Sequence, residues 1–151
     1  MNVFRMVGFS LIAAFGVACS SDGVFGVSGR FDHAAATFAC GPADGPALAI
    51  YLASDPITSL DPPGAFVRVY VPGTIDQVSG KTWPIAANSD AAAWFRSNSK
   101  SYEIATGGYL TIGPASADKT VDGSVDLQFP SEGHLHGSFH AGWIQSNVLC
   151  G

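Results

Sequence analysis

From residue 30 onward, apolar and polar positions alternate with a period of two along most of the chain. "AFVRVYVP" (65–72) puts Val67, Val69 and Val71 on one face and Phe66, Arg68 and Tyr70 on the other. In "KTVDGSVDLQF" (119–129), Val121, Val125, Leu127 and Phe129 share one parity, and Asp122, Asp126 and Gln128 share the other. Successive side chains of a strand point to opposite faces, so this pattern predicts antiparallel strands with one face buried and one in water. "RFDHAAATFAC" (30–40), "PALAIYLAS" (46–54) and "YEIATGGYLTI" (102–112) continue the series. The breaks "GPADGP" and "DPITSLDPPG" are dense in Pro, Gly and Asp and predict turns. "NSDAAAWFRSNS" (88–99) alone has helical character, with Ser89 or Asp90 as N-cap, yet Ala91 to Phe95 fits a strand equally well. About seven to nine short strands at regular turn spacing predict an all-β domain: an antiparallel β-sandwich, with a barrel as the alternative.

The last strand carries the chemistry. In "GHLHGSFHAGW" (133–143), Leu135, Gly137, Phe139, Ala141 and Trp143 fall on one face and His134, His136, Ser138 and His140 on the other. The turn "PSEG" (130–133) joins this strand to the one ending at Phe129, which predicts a β-hairpin with both apolar faces on the core. Trp143 is assigned to that core. On the wet face, Asp122, Asp126 and Gln128 then lie near His134, His136 and His140, close enough for carboxylate–imidazole pairs.

Composition narrows the class without changing the fold. Apolar residues make up 47% of the 151 positions and charged residues 13%, which excludes a disordered chain and suits one domain with a real core. The formal charge is −5 and the seven basic residues stand singly, so no surface would neutralise a row of phosphates and nucleic acid is excluded as a partner. Eighteen Gly and nine Pro disfavour a helical bundle.

The N-terminus reads as a targeting segment. Arg5 supplies a positive charge, and "VGFSLIAAFGVA" follows for twelve residues without one, too short to span a bilayer as a helix. The run ends in "FGVAC", which resembles the lipobox of bacterial lipoprotein signal peptides. Ala18–Cys19 meets the requirement for a small residue before an obligatory Cys, while Gly16 stands where that family prefers Leu, Val or Ile. The resemblance implies that residues 1–18 are removed and that Cys19 is lipidated, anchoring the chain to a membrane. An ordinary secretory signal that leaves Cys19 as a free thiol is the alternative. Ser20 and Ser21 follow, and the lack of Asp after the Cys implies the outer membrane of a Gram-negative envelope. Residues 19–29, "CSSDGVFGVSG", read as a short tether, and 30–151 as a single domain.

With Cys19 given to lipid, Cys40 and Cys150 remain. An exported compartment is oxidising, so these two are expected to form one disulfide. It would tie down the C-terminus and stabilise the fold by roughly 4–5 kcal/mol in the chain-entropy model.

Two kinds of site are offered by the sequence. His134 and His136, at i and i+2 on a strand, stand about 6.5–7 Å apart and could give two ligands to zinc or copper. His140 is about 13 Å from His136 along the strand, too far to join them. A third ligand would come from a neighbouring strand: Asp126, Asp122 or His33. The second kind is aromatic. Among Trp83, Trp94, Phe95, Tyr102, Tyr109 and Trp143, one of the Trp94–Phe95 pair is expected to face outward, where it could stack on a sugar or grip a protein. Gly-x-Ser-x-Gly does not occur, Ser138 has no committed His–Asp partner, and Asp122 and Asp126 share one strand rather than face each other across a cleft.

The expectation is therefore a non-catalytic, lipid-anchored envelope protein, periplasmic or at the cell surface, that serves as a binding or structural module for a protein or glycan ligand. A metal-binding envelope protein using His134, His136 and Asp126 is the first alternative. A secreted hydrolase with an unrecognised site is the second.

Overall fold

Strand alternation governs the packing. The computed structural model describes residues 23–27, 29–41, 44–98, 101–115, 120–146 and 150. Cys19 and the whole of 1–22 lie outside them, so the signal peptide and lipobox readings rest on sequence. Among the described residues, eleven strands form one sheet: β1 (Gly23–Gly26), β2 (Gly29–Phe31), β3 (His33–Cys40), β4 (Pro46–Ala53), β5 (Phe66–Pro72), β6 (Thr82–Pro84), β7 (Ala92–Arg96), β8 (Tyr102–Ile104), β9 (Gly107–Ile112), β10 (Thr120–Phe129) and β11 (Gly133–Trp143). Their order is β6-β9-β10-β11-β3-β4-β5-β7-β8, with β1 laid on β11 and β2 on β1.

The fold is all-β, as the period-two pattern predicts. The described strands belong to one mixed sheet that curls as a half-barrel, between the two architectures weighed from sequence. It is not wholly antiparallel, because β11 runs parallel to β3 where Gly142 and Trp143 meet Ala35 and Ala36. The curl draws the two ends of the strand path together. Strand β8 ends that path and β9 stands second from its other end, yet Ala105 and Thr106 alone separate them along the chain. Ala105 N–H donates to Ala93 O of β7, and Thr106 N–H to Gln128 O of β10. At this corner Gly108 has φ +125°, and a Cβ there would stand 2.0 Å from Asp126 O. Only glycine lets the two backbones approach that closely. Glu103 of β8 also accepts N–H bonds from Ser131 (2.9 Å) and Glu132 (3.0 Å), tying the corner to the β10–β11 turn.

Inside the curl lies the main core. Val67, Val69 and Val71 of β5, Leu48, Ile50 and Leu52 of β4, and Val125, Leu127 and Phe129 of β10 are all buried there. Leu135, Phe139 and Ala141 of β11 join them, so both apolar faces of the predicted hairpin are on the core. A second, smaller cluster covers the other face of β4, where Ala49, Tyr51 and Ala53 pack with Ala35 and Phe66. Strand β4 is thus buried on both faces, which explains why "ALAIYLA" is a continuous apolar run rather than an alternating one.

Three expectations change. The tether read over 19–29 is too long, because 23–26 and 29–31 are strands whose Val24 and Phe31 are buried in the core. The Gly/Ser-rich composition there serves a tight strand pair rather than a flexible spacer. The 88–99 segment is resolved in favour of strand β7. The helix among the described residues is instead one turn, α1 (Ile75–Val78), where the Thr74 N–H donates to the Gln77 side chain at 2.9 Å. Trp143 is half-buried at the edge of the core, stacked on Phe38 with ring centroids 4.8 Å apart.

Cys40 and Cys150 are joined by a disulfide with Cα atoms 5.4 Å apart, within the ordinary range. It pins residue 150 to the end of β3. None of the helices among the described residues is long and apolar enough to cross a membrane.

Candidate functional site

The histidine row lies on the outer face of the β10–β11 hairpin, as strand parity requires. Asp122 stands opposite His140, Asp126 opposite His136 and Gln128 opposite His134. His140 Nδ1 is hydrogen-bonded to Asp122 Oδ1, directly across the pair. His134 reaches diagonally, its Nε2 2.9 Å from Asp126 Oδ1. The His134 and His136 rings stack 4.7 Å apart at 21°. Ring stacking of i and i+2 side chains brings them nearer than strand rise alone, while His140 stands apart with its own carboxylate. The expected cross-strand pairs are therefore present, and His134, His136 and Asp126 are neighbours. Among the described residues, no three His, Cys, Asp or Glu side chains form a group arranged to hold a metal ion. His33 begins β3 opposite Ala53 of β4, and β3 meets β11 only where Ala35 and Ala36 stand opposite Gly142 and Trp143.

The neighbouring strand positions the rest of this face. Gly137 has φ +147°, and a Cβ there would lie 2.2 Å from Gly23 O, so its lack of a side chain lets β1 seat against β11. That seating sets Phe25 opposite His136, with the Arg30 guanidinium 5.1 Å above the Phe25 ring. On the other side, Tyr109 of β9 stands opposite Asp126 and is exposed. A dimple of about 80 Å³ is lined by Ser138, Phe139 and His140 together with Gly23, Phe31, Asp32 and Ala34.

A second site lies on the outer face of β5 and β7. Register sets Arg68 between Tyr51 of β4 and Trp94 of β7, and Tyr70 opposite Ala92. Phe95 points into the core and Trp94 points out, so one member of the pair faces outward as expected. Trp94 and Tyr70 meet edge to face, with centroids 5.4 Å apart at 85°. The Arg68 guanidinium lies 4.9 Å from the Tyr70 centroid and 5.5 Å from that of Trp94, at cation–π distance from both. Burial raises the Tyr51 pKa, the Tyr70 phenol adds to the rise, and Arg68 opposes it. Tyr70 and Trp94 wall a cavity of about 210 Å³, whose remaining lining is Cys40, Gly41, Asp90 and Ala92. Asp90 is exposed, and Cys40 brings the disulfide to the opposite wall.

Sequence reading found Trp94 but not its partners. Arg68 and Tyr70 were visible as the non-core parity of β5, but nothing in their spacing shows that β7 pairs there and puts Trp94 beside them. Asp90 enters the site from the turn before β7, in which the Ser89 N–H donates to Ala86 O. Tyr102, Tyr109 and Ile104 are exposed and lie outside the cavity.

No family model, curated protein or solved structure matches this chain.

Proposed function

We propose that the chain is a lipid-anchored protein of the bacterial envelope whose β-domain is a binding module rather than an enzyme. The observation that carries this reading is the cavity of about 210 Å³ lined by Tyr70 and Trp94, which stand on the paired strands β5 and β7 with Arg68 beside both rings. Binding sites are concave and mostly apolar, with a few polar groups to fix orientation, and this one has that character. Both aromatic residues stand on paired strands rather than on loops, which favours recognition over the loop closure that many enzymes need.

The anchor reading is supported by "FGVAC" and by the Cys40–Cys150 disulfide, a bond that suits an oxidising, exported compartment. With β1 starting at Gly23, four Cα steps separate it from Cys19, a span of at most about 14 Å. A lipid on Cys19 would hold the domain close to its membrane, presenting ligand sites to whatever lies next to that surface. Mass spectrometry of the mature N-terminus tests this. A diacylglyceryl Cys19 is expected, with release into the soluble fraction in Cys19→Ser, and an unmodified Cys19 overturns the anchor.

A further inference from the structure

We infer that the Tyr70–Trp94 cavity is a subsite for one ring of a neutral glycan, an inference that rests on the binding-module reading. Size sets the first limit. A cavity of about 210 Å³ is smaller than the roughly 300–1,000 Å³ of pockets that enclose a drug-sized ligand, so it takes one ring of a longer molecule. Shape sets the second. Two aromatic rings at 85° form a corner, in which one ring offers a face and the other an edge. A pyranose has a matching form, with a C–H face that packs on an aromatic ring and a rim of hydroxyls.

Charge sets the third limit and separates the sugar from its competitors. Tyrosine and tryptophan walls with a nearby carboxylate would ordinarily suit an ammonium group. Here Arg68 already lies over both rings, and a second cation on them would meet its charge. An anionic ligand would meet Asp90 in the lining and a chain of net charge −5. Neither sign is welcome, which leaves an uncharged ligand. An aliphatic or aromatic protein side chain would desolvate Asp90 without giving it a donor, whereas a sugar hydroxyl donates to it. Cys40 and Ala92 complete an apolar floor that the C–H groups of the sugar can cover.

The test is a titration of the full chain in detergent micelles, followed by the indole N–H signal of Trp94 in NMR. The probes are four neutral oligosaccharides (cello-, chito-, malto- and mannohexaose), then choline chloride and benzyl alcohol. At least one oligosaccharide is expected to shift the Trp94 signal saturably. Trp94→Ala should then weaken its binding about tenfold or more, Asp90→Asn several-fold, and Tyr109→Ala not at all. Asp90 is exposed, so Asp90→Asn keeps the test valid if Trp94→Ala does not fold. If choline or benzyl alcohol saturates Trp94 while every oligosaccharide leaves it unmoved, the glycan inference falls and the binding module stands. If no probe moves Trp94, both fall. Oligosaccharide binding that survives Trp94→Ala and Asp90→Asn would also overturn the inference, because the sugar would then sit elsewhere.

Discussion

His134 bonds to Asp126, although the residue facing Asp126 across the strands is His136. The diagonal reach leaves His136 without that carboxylate and turns its ring onto the face of His134. Both partners of the bond are more than half exposed, at 51% and 65% of the side chain. Exposed pairs of this kind contribute little, so Asp126→Ala should change the unfolding free energy by less than about 1 kcal/mol. Urea denaturation at low and high salt checks this, and the small effect should shrink as salt screens it.

The Cys40–Cys150 bridge spans a sequence separation of 110 residues and is the covalent tie of the C-terminus to β3. Reducing it should cost roughly 4–5 kcal/mol in the chain-entropy model. Denaturant midpoints measured with and without reductant give the value. A change near zero would mean that the unfolded chain is not constrained by this link.

Glu103 links stability to acid. Burial opposes its charge, but the N–H groups of Ser131 and Glu132 and the Ser131 hydroxyl outweigh that and hold its pKa below the ordinary value. A depressed carboxyl stabilises the fold above the pKa of the unfolded chain, about 4.3, and that contribution is lost as pH falls through the folded value. Glu103→Gln should therefore cost under about 1 kcal/mol at pH 7, given its solvent access, and should converge with the parent once the pH has fallen through the lowered folded pKa. Thermal unfolding across pH 2–7 reads the difference directly.

Gly108 is the least replaceable residue of the β8–β9 corner. Its φ of +125° and the 2.0 Å approach of Asp126 O leave no room for a Cβ. Gly108→Ala is expected to destabilise by about 2–4 kcal/mol, combining backbone strain with displacement of β10. Gly107→Ala, one residue earlier, meets nothing within 4 Å and should cost far less. Comparing the two by urea denaturation separates corner geometry from simple glycine loss.

Much of this architecture was legible in the sequence because the hairpin of β10 and β11 is local. Alternation set which of its residues face the core, and the short Pro130–Glu132 connection set their register, so the Asp122–His140 pair could be foreseen. The Tyr70–Trp94 cavity could not. It depends on which strand lies beside β5, and that is decided by how the whole sheet curls rather than by any local pattern. Strands β1 and β2 were hidden for a different reason. Their glycines and serines suggest a spacer, while the two buried side chains that hold them, Val24 and Phe31, are too few to show a period. Strand β4 carried the opposite signal, an unbroken apolar run, because a second cluster covers its outer face.

The strands at the margins of the sheet are all short. The path ends at β6 and β8, each three residues long, and β2, outside it, is three residues as well. Pro84 removes one backbone donor from β6. Long, flat margins invite pairing with other copies of a chain, and stubs of this length offer almost no template for it. The lipid anchor proposed for Cys19 would confine the protein to two dimensions, where neighbours meet far more often than in solution. A chain that crowds on a surface gains most from margins that cannot zip together, and this sheet leaves few backbone groups with which an adjacent copy could start a fibril.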